Sequence, residues 1–237
     1  MSLPVVILAG GLATRLRPIS ERIPKVLVDV EGRPFAEHQL ELLYRHGIRQ
    51  AVFCIGHLGE QVEAALGDGS RWGMELRYSF DGPTLMGTGG ALRQALPLVG
   101  ESFLVLYGDA YLQCDYQAAA QAFVQSGKLG LMTVFHNDNQ WDRSNVIFTD
   151  GQILRYDKQQ RTPEMHHIDY GLGALRAEVF TRYPDDQPID LAIIYQDLLA
   201  HEQLAGFEVS QRFYEVGSHT GLEETRRYFA QRRNTIS

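Results

Sequence analysis

The stretch VVILAGGLATRLRPISERIPK, residues 5–25, decides the fold. Val5 to Leu8 is a short apolar run rich in β-branched residues and closed by Gly10-Gly11, the pattern of a buried parallel strand. Glycine after such a strand lets backbone N–H groups approach a ligand with no side chain in the way. Arg15, Arg17 and Lys25 follow at once. A guanidinium offers a rigid fork of donors suited to phosphate oxygens, and an ammonium offers a compact point charge. Pro24 biases its neighbours toward extended backbone, so Lys25 can project back toward the glycines. The stretch reads as a polyphosphate site at a strand end.

The rest of the chain frames that reading. Its 237 residues suffice for one large domain with a full core, and 44% apolar with 22% charged residues is ordinary for a globular protein. A net charge of -7 argues against a surface that coats nucleic acid, so cations gathered in the first segment suit a small anion. Cys54 and Cys114 have no metal-like spacing, which disfavours a zinc site or a disulfide scaffold. No apolar run approaches membrane-spanning length, and a cytoplasmic, reducing location is the expectation.

The first half alternates strand and helix. Helical spacing covers Pro34 to His46, Glu60 to Leu66 and Thr88 to Leu96; strands are expected at Ala51 to Ile55, Glu75 to Phe80 and Phe103 to Tyr107. Such alternation implies right-handed βαβ units and ligands beyond the carboxyl ends of the strands. Gly10-Gly11 and Gly108-Asp109 both stand at such ends. After about residue 130 the texture changes to strands: Leu129 to Phe135, Asn145 to Phe148, Gln152 to Asp157, Ile168 to Arg176 and Phe213 to Val216. Asp150-Gly151 is a hairpin signal. Helices are expected at Asp190 to His201 and from about Leu222 to Arg232. The expected fold is α/β: a Rossmann-like mixed, mainly parallel sheet flanked by helices. The expectation is a single domain over 1–237, whose texture changes between its first half (1–128) and its second (129–237).

Gly10-Gly11-Leu12-Ala13-Thr14-Arg15-Leu16-Arg17-Pro18, then Pro24-Lys25 and Gly32-Arg33-Pro34, resembles the signature of the sugar-phosphate nucleotidyltransferases. The likeness runs on through LMGTGGAL (85–92), LYGDAYL (106–112), YDK (156–158), IDYGLGALRAEVF (168–180) and FYEVGSHTGLEE (213–224). In that family the first of these lies against the nucleobase and the second supplies a metal carboxylate; the lysine of the third meets the sugar phosphate. The resemblance implies a nucleotide site at Leu8, Ala9, Gly10, Gly11, Asp81, Gly87 and Thr88, and catalytic cations Arg15 and Lys25. It implies a sugar-phosphate site at Lys158, Asp169 and Gly171, Mg²⁺ on Asp109 and Glu215, and hence a nucleotide-binding half (1–128) and a sugar-phosphate-binding half (129–237); Asn145 could join the sugar-phosphate site by reaching sugar hydroxyls. Asn145 reads equally as the cap of a turn.

Three positions depart from the family pattern. Ala13 stands at the usual third glycine; a positive φ there would cost roughly 1 to 2 kcal/mol, so a negative φ or a local rearrangement is expected. Val26 stands where proline is frequent, which should alter stiffness more than chemistry. Glu215 replaces an aspartate, so its carboxylate must fold back to reach a metal. His166-His167, adjacent on a strand, should face opposite ways and form a surface pair rather than a metal site.

The implied reaction joins an NTP to a sugar 1-phosphate and releases pyrophosphate. Its texture is nearest the mannose- or heptose-1-phosphate guanylyltransferases, which points to GTP. Uridylyl, thymidylyl or cytidylyl transfer, a cytidylyltransferase for a non-sugar alcohol phosphate, and a non-catalytic sugar-nucleotide sensor are the alternatives. The expected partners are small molecules, with no nucleic acid and no membrane, and with a homo-oligomer left open.

Overall fold

The computed structural model describes residues 3–82, 84, 86–184 and 187–236. Strand β1 (Val5–Leu8) leads through three short 3-10 turns to a small hairpin, β2 (Asp29–Val30) and β3 (Arg33–Pro34). Then come α1 (Phe35–Arg45), β4 (Gln50–Ile55), α2 (Gly59–Leu66), β5 (Glu75–Phe80), α3 (Gly87–Ala95) and β6 (Ser102–Tyr107). After β7 (Ala110–Leu112) and α4 (Tyr116–Ser126), the strands β8 (Gly130–His136), β9 (Val146–Thr149), β10 (Gln152–Tyr156) and β11 (His167–Arg176) run in succession. The chain continues with α5 (Leu191–Ala200), β12 (Leu204–Val209), β13 (Phe213–Glu215) and α6 (His219–Ile236).

Nine strands form one sheet. Its main path is β10-β9-β11-β6-β1-β4-β5, and a branch adds β8 against β11 and β12 against β8. β6, β1, β4 and β5 are mutually parallel, as the βαβ pattern requires. β11 lies antiparallel to β6, so strands of the second half extend the sheet of the first. Successive side chains of β1 feed opposite faces: Val5 and Ile7 enter one core with residues of α1, α2 and α4, and Val6 enters the other with residues of α3 and α5. Each fully buried Leu, Ile or Phe in these layers contributes about 1.5–3 kcal/mol relative to exposure, which anchors the strand ends that carry the site.

Asp150 and Gly151 both have positive φ (51° and 79°) between paired β9 and β10, as a two-residue hairpin demands. Helix α4 and strand β12 lie outside the sequence-based expectations. In α4, Ala118, Ala119 and Ala120 blur the apolar stripe. Its start is set by Asp115, whose side chain accepts from the N–H groups of Gln117 and Ala118. Gly206 interrupts β12, where a Cβ would meet Phe148 at 2.6 Å. Among the described residues, no helix is long and apolar enough to cross a membrane.

Candidate active site

Two clefts open beyond the carboxyl ends of the parallel strands. The first, of about 270 Å³, is lined by Leu8, Gly10, Gly11, Lys25, Asp81 and Gly87 among others. Ala9 is buried behind it and donates its N–H to the Cys54 carbonyl (2.8 Å), which continues the sheet into the loop. A Cβ on Gly10 would collide with the Asp81 carboxylate, and one on Gly56 would stand 2.7 Å from the same oxygen. Both glycines are therefore what let Asp81 lie over the loop. Burial pushes the Asp81 carboxyl up from its ordinary value. Among the described residues this carboxylate has no hydrogen-bond partner. Thr88 also lines the cleft, but its Oγ1 accepts from the Leu191 N–H (2.8 Å) and so ties α3 to α5. Gly87 has φ 74°, and a Cβ there would meet the Ile189 carbonyl at 2.5 Å.

Ala13 corrects the expectation of a negative φ. It sits in the left-handed region at φ 45°, ψ 46°. Neighbours hold it there: the Ala13 carbonyl accepts from Ser20 Oγ (2.8 Å) and Leu16 N (2.9 Å), and Leu16 is fully buried. The core contacts of Leu16 and these bonds offset a backbone cost of roughly 1–2 kcal/mol. Val26 also has a packing role that the sequence did not suggest: it is fully buried, and its Cγ1 fills the space a Cβ on Gly108 would need.

The two half-chains meet at a carboxylate pair. β13 lies antiparallel to β7 with Glu215 opposite Ala110, and Val216 N–H donates to the Asp109 carbonyl (2.8 Å). The Glu215 side chain folds onto its own following turn, accepting from Gly217 N and Ser218 Oγ at 2.5 Å each. A Cβ on Gly217 would stand 2.6 Å from Asp109 Oδ2 and 2.8 Å from Glu215 Oε2, so both carboxylates close on one point. Burial raises the Glu215 pKa and the nearby Asp109 adds to the rise, against the Ser218 and Gly217 hydrogen bonds and Arg15. Lys25 Nζ lies 2.7 Å from Asp109 Oδ2, with both side chains largely shielded from water. Among the described residues no three or more His, Cys, Asp or Glu side chains gather in a metal-like group.

The second cleft, about 310 Å³, adjoins the first and shares Tyr107 and Asp109 with it. It brings together Asn145, Lys158, Asp169 and Gly171, with Arg15 and Glu215 at its inner end. Asp169 is fully engaged: Oδ1 accepts from Gly171 N (3.1 Å), while Oδ2 accepts from Tyr156 OH (3.3 Å) and faces Lys158 Nζ (3.5 Å). Asn145 Oδ1 accepts from Asp169 N (2.9 Å), which locks two elements of the cleft together. Here β11 shifts register between Asp169 and Gly173, and Gly171 takes φ 100°. Tyr107, Trp141, Arg143, Arg161 and Phe213 also line the cleft. None of these five is marked by the sequence as a site residue; Trp141 and Arg143 stand just before Asn145 in WDRSNV, residues 141–146.

His166 and His167 do not form a surface pair. His166 is exposed and faces Asp138 (2.8 Å), whereas His167 is nearly buried, 3.1 Å from Glu208, because β11 is covered there by β8 and β9. A larger groove, about 960 Å³, lies between β10, β12 and α5 and contains none of the candidate site residues.

The nucleotidyl transferase family model matches residues 4–145. The chain belongs to that family. Over 92% of its length it is 40% identical to the N-acetylmuramate alpha-1-phosphate uridylyltransferase of Neisseria meningitidis, of which it covers 95%. It is 31% identical over 78% of its length to the UTP–glucose-1-phosphate uridylyltransferase of Synechocystis, and spans only 52% of that protein. The D-glycero-alpha-D-manno-heptose 1-phosphate guanylyltransferase of Campylobacter jejuni is 28% identical over 75% of this chain and 78% of its own. Among solved structures, a Bacillus anthracis protein assigned as a glucose-1-phosphate thymidylyltransferase superposes with a TM-score of 0.86 at 20% identity, covering 96% and 95% of the two chains. That likeness is one of fold.

Proposed function

We propose that this nucleotidyl transferase family member binds an NTP in the glycine-loop cleft and a sugar 1-phosphate in the adjoining cleft, and joins them with release of pyrophosphate. The observation that carries the reading is the junction: two clefts share Asp109 and Tyr107, with Lys25, Arg15 and Glu215 around them. A sugar phosphate oxygen attacks the α-phosphorus directly, so no protein nucleophile is needed. The bond from that phosphorus to the β-phosphate bridging oxygen breaks as the new one forms.

The obstacle is like charge. Two anionic groups about 4 Å apart repel by several kcal/mol at an effective dielectric near 20. Lys158, braced by Asp169, holds the incoming phosphate. Arg15 holds the departing β- and γ-phosphates, and Lys25 turns from Asp109 to the α-phosphate as charge grows there. Asp109 and Glu215 offer two hard oxygen ligands, and Mg²⁺ held by them would neutralise the nucleotide phosphates. The rate enhancement is positioning and electrostatics.

Asp81 bears on the base. A carboxylate without a partner, lying over the glycine loop, matches the N1–H and N2–H donors of guanine, and the Campylobacter relative supports the reading of GTP with a mannose or heptose 1-phosphate. A second reading, UTP, is favoured by the Neisseria relative, whose identity extends over nearly both whole chains. Pyrophosphate release from four NTPs against mannose, heptose, glucose and N-acetylhexosamine 1-phosphates tests the proposal. GTP with a manno-configured sugar is the expected best pair; preference for UTP would move the base assignment alone. No pyrophosphate from any pair would leave a sensor.

A further inference from the structure

Resting on the sugar-phosphate reading of the second cleft, we propose that the sugar 1-phosphate substrate carries a second anionic group, and that Arg143 is the residue that selects it. Four cations line this cleft: Arg15, Arg143, Lys158 and Arg161. Its acids are Asp109, Asp142, Asp169 and Glu215, and each is already engaged by the protein. Asp109 takes Lys25, Glu215 takes Gly217 and Ser218, Asp169 takes Gly171, Tyr156 and Lys158, and Asp142 Oδ1 takes the Arg143 N–H. Among the described residues, the guanidinium groups of Arg15, Arg143 and Arg161 have no hydrogen-bonded or ion-paired carboxylate. Elsewhere several surface arginines pair with carboxylates, as Arg33, Arg77, Arg212 and Arg226 do.

One phosphate does not need them all. Arg15 lies beside Glu215 and belongs with the leaving pyrophosphate. Lys158 and Arg161 follow β10 on one segment, where the Asp157 side chain accepts from the N–H groups of Gln159 and Gln160 and shapes the turn; together they suffice for the 1-phosphate. Arg143 comes from a different loop, between β8 and β9, and is left over.

That loop is built to hold position. Asn137 and Ser144, at 1% and 2% exposure, bond each other (3.1 Å), the Asp142 carbonyl (2.6 Å) and the Asn139 N–H (3.1 Å). Asp138 and Asn139 accept left-handed backbone within it, at φ 46° and 60°. Trp141 is clamped from outside by the Arg212 guanidinium, 3.4 Å from its ring centroid, itself paired with Glu224 at 2.7 Å. A buried polar network is costly unless satisfied, and here it is satisfied in order to present Trp141 and Arg143 to the cleft. The network fixes the backbone from which the exposed Arg143 projects, and its unpaired planar fork is suited to a carboxylate or a phosphate.

Pyrophosphate release with matched sugars tests this. The pairs are glucose against glucuronate 1-phosphate, N-acetylglucosamine against N-acetylmuramate 1-phosphate, and mannose 1-phosphate against mannose 1,6-bisphosphate. In at least one pair the acidic member should show kcat/KM roughly ten- to hundredfold above its neutral twin, expressed in KM. The carboxylate and phosphate pairs tell which group is read. Arg143→Ala should bring that ratio close to one, and Arg143→Lys should restore part of it. Neutral twins turned over as well as the acidic ones in all three pairs would overturn the inference and leave nucleotidyl transfer standing. So would Arg143→Ala lowering both twins equally, since the arginine would then serve the 1-phosphate. No pyrophosphate from any sugar with any NTP would overturn both.

Discussion

The two clefts meet at Asp109 but are made of different material. The cleft proposed for the nucleotide is framed by strand ends, glycines and a 3-10 turn, with Asp81, Lys25 and the shared Asp109 as its charged side chains. The cleft proposed for the sugar phosphate is mostly side chain, with Trp141, Arg143, Lys158, Arg161 and Phe213 from loops and a short strand. Backbone suits the part that every NTP shares, its triphosphate. Side chains suit the part that must discriminate, because each can be exchanged without disturbing a strand.

The hardest blow to that division falls at the shared residue. Asp109→Asn should lower kcat on the order of a thousandfold, since a metal clamp and its neighbours supply several kcal/mol at the phosphates. Circular dichroism should show the fold retained. Normal turnover in the presence of EDTA would mean that the two clefts share no metal. Next in size is Lys158→Ala, which should raise the sugar-phosphate KM by roughly one to two orders of magnitude, the worth of a charge-assisted contact. NTP affinity measured by calorimetry without the sugar should stay constant. A weaker NTP affinity with an unchanged sugar-phosphate KM would erase the distinction between the clefts.

The same contrast explains what could be read from the sequence. Strand β1, Gly10-Gly11, Arg15 and Lys25 lie within one short segment, so composition and spacing are enough to raise the expectation of a phosphate site there. The strand-end Asp109 could be found in the same way. The conformation of Ala13 could not, because it depends on buried Leu16 and on Ser20, neither of which reveals its contacts in a one-dimensional pattern. Arg143 and Trp141 carry no signal in the sequence, since a loop held by Asn137 and Ser144 has no periodicity. Helix α4 escaped for a related reason: its alanines are compatible with either a helix or a loop. Glu215 came from resemblance, and only the pairing of β13 with β7 shows how it reaches Asp109.

Smaller effects sharpen the picture at the junction. The Glu215 carboxyl is held above its ordinary value of 4.5 by burial and by Asp109. With the folded value raised, the protonated form favours the metal-free fold; that stability is complete below about 4.5 and is lost as pH rises through the raised value. Thermal melts without metal should therefore show Glu215→Gln losing less stability than the parent as pH goes from 5 to 8. Mn²⁺ should protect the parent at pH 8 and the variant hardly at all. Equal Mn²⁺ protection of both proteins at pH 8 would remove Glu215 from the proposed metal site. The smallest change expected is at Ala13. Ala13→Gly relieves a left-handed alanine at some entropic cost, for a net gain of about 0.5–1 kcal/mol, or a rise in melting temperature of one to a few degrees. A lower melting temperature would show that the methyl group packs more than it strains.

The paired glycines that open the site are not equivalent neighbours. Gly10 is wedged against Asp81, whereas a Cβ on Gly11 would meet nothing within 4 Å. In a library of substitutions sorted first for soluble expression and then for activity, the two positions would separate. A small side chain at 10 would pass the first sort by pushing the Asp81 carboxylate aside, whereas a larger one would press on the Gly56 backbone and be lost there. Variants at 11 would survive it as well-formed proteins and be lost at the second, their added atoms lodged in the space left for the nucleotide.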